Sequence, residues 1–509
     1  MTNPWIIAPI LLPAVAAPLI LVLFRNHQPQ ARAVSIVSSV GLLVLAGFLV
    51  AAADTGAIQT YRLGDWPPPF GIVLVLDRLA ATMLLLTAIL GLALAVHASA
   101  SGLDRQGWHF HALLQFQLLG LNGAFLTGDL FNLFVFFEVL LIASYCLLLH
   151  GGGRARMKAG MQYVVVNLVG STLFLVAAGI LYGATGTLNL ADMSRKIAAA
   201  PPGDHALILA GGMVLTVVFA LKAALAPLHL WLPRTYASAS PAVAALFVIM
   251  TKVGAYSIIR TTTAMFGETA GPLAWEAAPW LLGAALITGV VGFVGVFSAS
   301  GLRALAAFAV VGSMGVMLSA VSIFQPGPLG SALYYLASST LAGAALFLLI
   351  DILIARRGDF GDALAPGPTF PHRMALSAMF LLAAIGVVGL PPLSGFLGKL
   401  LILDRIAPGG IGAWVWVMIL FTTFLAMVAF ARAGSVLFWK SRGEAKAPTV
   451  SAPSPATWIA PVALLACLAL LSAAAGPAMT YLDAASLQLF DAAGYASAVL
   501  DAPCGDAPC

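Results

Sequence analysis

Residues 131–151 read FNLFVFFEVLLIASYCLLLHG. Phe, Leu, Val and Ile fill the stretch, and a single charge, Glu138, stands near its middle. About 20 mostly apolar residues suffice to cross a bilayer as a helix. In lipid every backbone N–H and C=O must find its partner inside the segment, so such a stretch is a helix and not a strand. The rest of the chain repeats this pattern.

Of 509 residues, 61% are hydrophobic and 8% are charged. An ordinary soluble domain carries about 25% charged residues. Nineteen acidic and 24 basic side chains cannot coat a soluble surface for this length. A soluble globular protein, a nucleic-acid binder and a disordered chain are therefore excluded. The net charge of +5 with a pI near 9.1 fits Lys/Arg-rich cytoplasmic loops. Four cysteines (Cys146, Cys467, Cys504, Cys509) are too scattered for a disulfide framework or a zinc site.

Fourteen apolar stretches follow one another: 4–24, 33–53, 77–98, 108–127, 130–149, 160–184, 206–229, 241–264, 278–299, 303–323, 329–354, 373–403, 411–438 and 457–476. The first is too long and too interrupted by proline for a signal peptide, and no small-residue cleavage site follows it. It reads as a retained helix. Fourteen Lys/Arg side chains fall on the odd-numbered loops and six (Arg62, Arg78, Arg195, Lys196, Arg260, Arg405) on the even-numbered ones. The excess places the odd loops in the cytoplasm and both termini on the outer, periplasmic side of a bacterial cell membrane. Asp483, Asp491, Asp501 and Asp506 read as an acidic outer tail. The connection 439–456, with Pro448, Pro453 and Pro455, reads as a flexible cytoplasmic loop. The repeated DAPC at the C-terminus reads as unstructured.

Four ionisable groups stand well inside the spans: Glu138, Lys222, Lys252 and Lys399. Each charge at the bilayer centre costs at least about 2.5–3.5 kcal/mol. Packing alone does not call for that expense, so each must face the bundle interior or water. Lys252 in VIMTKVGAYSIIR and Lys222 in VVFALKAALAPLHLWLP are the natural partners of Glu138. A static ion pair is the plain reading of any one pair. One glutamate cannot neutralise three lysines, however, and burial penalises a charged lysine. The set therefore reads as a proton relay. His229, just after a proline, is a further relay candidate or a cap on freed carbonyls. His97, His109 and His111 stand near the cytoplasmic boundary. They read as ordinary interfacial histidines, with proton entry as the alternative. Arg432 reads as a snorkelling side chain. Gly289, Gly292 and Gly295 read as close helix packing and not as a phosphate loop. No metal-ligand cluster, nucleophile triad or haem motif is visible.

LKAALAPLHLWLP (221–233) sets Lys222 five residues before Pro227, and VVGLPPLSGFLGKLL (387–401) sets Pro391 and Pro392 shortly before Lys399. Proline inside a span frees backbone groups, which is tolerated where the gap lines a cavity. Paired broken helices in two halves point to an inverted-repeat transporter. The seventh and twelfth spans are five apart, an odd number, so units of helices 4–8 and 9–13 would run in opposite senses. The expected divisions are an N-terminal three-helix segment (1–105), two five-helix repeats (106–265 and 266–440), and a loop, last helix and tail (441–509).

On these residues the chain resembles the antiporter-like subunits shared by respiratory complex I, membrane-bound hydrogenases and Mrp-type (Mnh, Pha) sodium/proton antiporters. The matching stretches are FFEVLLIASYCLL, YGATGTLNL, ALKAALAPLHLWLPRTYASASPAVAALFVIMTKVGAY, LRALAAFAVVGSMGVML and GLPPLSGFLGKLLIL. LWLPRTYASASPAVAALF, YYLASSTLAGAALFLLIDIL and RAGSVLFWK resemble the D-subunit branch of the Mrp group. The resemblance implies an all-α polytopic fold of about fourteen helices, with two inverted five-helix repeats and broken seventh and twelfth helices. It maps the family glutamate to Glu138 and the family lysines to Lys222, Lys252 and Lys399. It implies assembly with other antiporter subunits in the lipid bilayer, without a cofactor, and movement of protons against Na+ or another monovalent cation. Relatives often carry a histidine or lysine in the eleventh span; here YLASSTLAGAALFLL offers only Ser338, Ser339, Thr340 and Gly343. The alternatives are a proton-pumping subunit of complex I or a membrane-bound hydrogenase, and a non-transporting scaffold.

Overall fold

A computed structural model describes residues 3–107, 109–441 and 454–501. Most of the expected cytoplasmic loop, and the DAPC repeat with Cys504 and Cys509, lie outside the described residues. The chain opens with Ala8–Leu23 (α1) and Gln28–Asp54 (α2). An antiparallel hairpin, Gln59–Arg62 (β1) and Val73–Leu76 (β2), precedes Arg78–Ser101 (α3). Next come Phe110–Leu126 (α4), Leu130–Leu149 (α5), Arg154–Thr185 (α6), Leu190–Ala198 (α7), His205–Lys222 (α8), Trp231–Ser238 (α9) and Pro241–Met265 (α10). The second half holds Ala278–Ser298 (α11), Leu302–Val321 (α12), Pro326–Arg357 (α13), Arg373–Val388 (α14), Ser394–Arg405 (α15) and Ile411–Gly434 (α16). Ile459–Ala473 (α17), Ala475–Phe490 (α18) and Ala492–Leu500 (α19) follow.

Each of the fourteen apolar stretches is helical. Among the described residues, twelve helices are long and apolar enough to cross a membrane. The other two stretches are α4, of 17 residues, and the pair α14–α15, broken between Val388 and Ser394. The seventh stretch is broken too: α8 stops at Lys222 and α9 resumes at Trp231.

Capping and glycine chemistry set the boundaries. The Asp77 carboxylate accepts from the Ala80 N–H at 2.8 Å and starts α3; Asp129 does the same for α5 through Asn132. Gly389, at φ 78°, ends α14 in the left-handed region, where a side chain is strained. The glycines of α11 serve packing: Gly292 lies against the Gly312 backbone and Gly289 against Gly315, so no side chain fits between α11 and α12. The core runs along α10, every residue of which is buried, and α13, which packs on α10, α12 and α17.

Four features depart from the sequence reading. The connection after α2 contains the hairpin; its four-residue strands are too short to stand out as strands, although Gly64, Pro67, Pro68, Pro69 and Gly71 between them are turn residues. The connection after α6 contains α7, an amphipathic helix burying Leu190, Met193 and Ile197. The acidic stretch is not a loose tail as far as Asp501, because α18 and α19 cover it and two of its carboxylates are paired. Asp483 meets Arg405 on α15, and Asp501 meets Arg195 on α7. Arg260 is not a loop charge; it is buried in α10 against Asp77 at 2.5 Å, so five basic side chains remain on the even-numbered connections against fourteen.

At the end opposite the hairpin, Asp104 joins α2 to α4. It takes two hydrogen bonds from Arg32, at 2.5 and 2.8 Å, and faces His111 Nε2 at 3.1 Å. Burial pushes this carboxyl up, but the bonds from His111 and Arg32 and the guanidinium charge outweigh it, and it titrates at about 2. The folded value is thus below the ordinary carboxylate value of about 3.9. Its stabilisation is complete above about pH 4 and is lost as pH falls toward 2. Thermal unfolding followed from pH 6 downward should therefore fall more steeply in the wild type than in Arg32→Ala.

Candidate functional site

Lys222 is the last residue of α8, and the chain then leaves the helix through Ala224, at φ 54°. The backbone groups freed by the break are satisfied locally. Trp231 Nε1 donates to the Leu221 carbonyl at 3.0 Å, and the Ala226 N–H donates to Thr288 Oγ1 on α11 at 2.8 Å. A gap in a spanning helix is stable on such terms. The buried Lys222 ammonium donates to Asn167 Oδ1 at 2.8 Å and stands 5.7 Å from the Phe137 ring centroid. One turn along α6, Ser171 donates to Glu138 Oε1. Asn167 and Ser171 occupy one face of α6. Glu138 and Lys222 are therefore joined through α6 and not by a direct ion pair, and Glu138 itself is half-buried.

Lys252 is fully buried in α10 and reaches across to the second half. Its Nζ lies 3.1 Å from Met314 Sδ and 3.4 Å from Ser313 Oγ, both on α12. Among the described residues no carboxylate contacts it. A thioether and a hydroxyl stabilise a charge far less than a carboxylate does.

Lys399 reaches back across the second break. It donates to the carbonyl of Val388, the last residue of α14, and to Thr423 Oγ1 on α16, both at 2.8 Å. The Phe293 ring centroid lies 5.3 Å away. In this arrangement the ammonium also caps the broken helix.

The three lysines all point into the bundle, away from lipid, but they do not form one cluster with Glu138. Lys222 and Glu138 belong to the α5–α6–α8 corner, Lys252 to the α10–α12 seam, and Lys399 to the second break. His229 is buried in the turn Leu228–Leu230 at the first break, and its Nδ1 has no partner among the described residues. In α13, Ser338 Oγ meets Ser394 Oγ at the start of α15 at 2.9 Å. Ser339 and Thr340 turn their hydroxyls onto their own helix, and Gly343 faces Val248 and Val310.

The sequence reading missed Asn167, Ser171, Ser313 and Thr423. The signal for the first two was present: two polar residues four apart in an apolar span. Arg432 donates to the Phe297 carbonyl at 2.6 Å and stacks on its ring, which fits the structural role expected of it.

Long apolar helices, two of them broken, with ionisable side chains buried beside the breaks, define a polytopic membrane protein of the transporter class. The chain belongs to the family described as NADH:quinone oxidoreductase/Mrp antiporter, transmembrane region, which matches residues 127–427. Within that family it is 42% identical to the D component of a probable K+/H+ antiporter of Rhizobium meliloti, over 98% of both chains. It is 36% identical to the D component of a Na+/H+ antiporter of Bacillus subtilis, over 98% of this chain and 99% of the other. A chain in the structure of the Mrp complex from Dietzia sp. DQ12-45-1b superposes with a TM-score of 0.86 at 26% identity, covering 97% of this chain and 99% of that one. A chain of an archaeal membrane-bound sulfane sulfur reductase shares the fold with the same TM-score of 0.86 at 22% identity, covering 97% of this chain and 99% of that one.

Proposed function

We propose that this chain is the D component of a multisubunit monovalent cation/proton antiporter in a bacterial cell membrane, and that it carries protons through Glu138, Lys222, Lys252 and Lys399. Its partners are the other antiporter subunits, the bilayer, protons, and Na+ or another monovalent cation. The observation that carries this reading is the Glu138–Ser171 and Asn167–Lys222 linkage: a mid-membrane carboxylate and ammonium held one helical turn apart on polar side chains, beside a broken helix. A lysine bound by neutral groups can give up its proton and leave no unpaired anion behind. His229 extends the same corner.

Two five-helix units, 106–265 and 266–440, organise the path. Their support is that equivalent pairs pack in both: α4 on α5 and α11 on α12, α6 on α8 and α13 on α14, α6 on α9 and α13 on α15. The excess of Lys/Arg on the odd connections supports a cytoplasmic face opposite the hairpin, with both termini outside. Among the relay residues of the first unit, Lys252, held on α12, reaches into the second.

The test is proton flux driven by added Na+ or K+ in everted vesicles carrying the whole complex. The wild type should move protons, and Lys399→Leu should reduce the flux at least about tenfold with the complex still assembled, a floor below the roughly 100-fold or more that a proton-transfer group typically contributes. Unchanged flux in Lys399→Leu would favour a scaffold role for this chain.

A further inference from the structure

His97 is unused by the path above, yet its environment is unusual. It stands four residues before the end of α3, on the side opposite the hairpin. Its side chain is fully buried, and Nε2 lies 2.9 Å from Asp351 Oδ2 on α13. Asp351 is 25% exposed. With Nε2–H donated to that carboxylate, Nδ1 carries the lone pair, and Nδ1 is buried with no partner among the described residues. One edge of the imidazole thus meets a group in touch with water, and the other faces the interior. Arg156 also interacts electrostatically with Asp351.

Deeper in the bundle a second unpaired group follows. Gln117 of α4 is fully buried, and neither of its amide atoms has a partner among the described residues. Leaving such a group dry costs about 1–3 kcal/mol, which favours water bonded to it. Its depth follows from the packing. Gly91 of α3 lies against Leu118, the neighbour of Gln117. His97 is six residues beyond Gly91, or about 9 Å along the helix. On the other side, Tyr256 of α10 donates to the Phe125 carbonyl at 2.7 Å, which sets Lys252 about one turn toward Gln117 from that level. Gln117 therefore lies in depth between His97 and Lys252.

We propose that His97 and Asp351 form the cytoplasmic proton port of this subunit, connecting bulk water to Lys252 by way of water held at Gln117; this rests on the proton-translocation reading above. Nδ1 accepts a proton from the interior, and the imidazolium is held by the Asp351 carboxylate. The Nε2 proton then passes to that carboxylate and on to cytoplasmic water; ring rotation turns the Nδ1–H edge to Asp351 and the bare Nε2 to the interior, so the next proton enters at Nε2 and leaves from Nδ1. One proton enters and one leaves. The reverse order gives uptake.

The experiment uses the complete complex in everted vesicles, with Na+ or K+ added and proton flux measured in H2O and in D2O. His97→Asn and Asp351→Asn are expected to slow the flux at least fivefold per assembled complex. The half-saturating cation concentration should not move, and the D2O effect should grow, because proton transfer becomes the slow step. Asp351→Glu should keep most of the flux. Wild-type flux in both Asn variants would overturn the port. So would a slowing with an unchanged D2O effect and no recovery in Asp351→Glu, which is the behaviour of a structural contact. If His97→Asn does not assemble, the variants of the partly exposed Asp351 decide alone. Absence of flux in the wild type would instead remove the antiporter reading.

Discussion

Lys222→Ala is expected to abolish cation-driven proton flux, a loss on the order of 100-fold, with the complex assembled in normal amounts. The reason is local. Lys222 touches Asn167 and the Phe137 ring and holds no backbone group of the break; Trp231 and Thr288 do that. Removing the ammonium therefore leaves the α8–α9 break intact and empties the relay position. Lys222→Arg separates the two possible roles of the charge. A guanidinium keeps the charge and the reach to Asn167 but does not release a proton. If Lys222 only balances Glu138, the arginine variant should transport well. If it hands protons on, the arginine variant should be as inactive as the alanine variant. Glu138→Gln should be inactive as well, since it keeps an acceptor for Ser171 but cannot bind a proton. Wild-type flux in either Lys222 variant would end the relay role of this residue.

Much of this was legible in the sequence because the bilayer makes strong demands. A charge in an apolar span and a proline beside it are both expensive, so LKAALAPLHLWLP and VVGLPPLSGFLGKLL gave away the two breaks and the lysines next to them. The fourteen helices followed from length and hydropathy for the same reason. What the sequence concealed were contacts between spans. Nothing in the one-dimensional pattern shows that Lys222 meets Asn167 instead of Glu138, or that Lys252 faces Met314. Asn167 and Ser171 stand out only by their spacing of four in an apolar span, and Ser313 and Thr423 carry no signal until their partners are known. The charge count misplaced Arg260 because it stands four residues before the end of the expected 241–264 span, where the pattern alone does not tell a boundary charge from one paired in the core. The helices α18 and α19 were hidden because they are too short and mixed to read as spans; they dock on α13 and α7.

Arg260→Leu is expected to give the largest loss of stability of any single change outside the relay, about 3–5 kcal/mol, because it leaves the Asp77 carboxylate buried and unpaired. Arg260 meets Asp77 through two nitrogens, at 2.5 and 2.9 Å, and both side chains are nearly free of solvent. The same guanidinium donates to Tyr256 at 3.2 Å and lies over the Tyr256 and Tyr495 rings. It thereby joins α3, α10 and α19. Asp77 also caps α3, so Asp77→Ala should lose the cap as well, about a further 1 kcal/mol. Asp77→Asn keeps an acceptor for the Ala80 N–H and removes the charge. In the double variant Arg260→Leu/Asp77→Asn much of the lost stability should return, since no buried charge is left over. The measurement is the unfolding temperature and the yield of assembled complex, with flux normalised to that yield. Arg260→Leu should lower the yield while each surviving complex transports at the wild-type rate, the reverse of Lys222→Ala. A fall in flux per complex without a fall in stability would move Arg260 out of the framework and into the ion path.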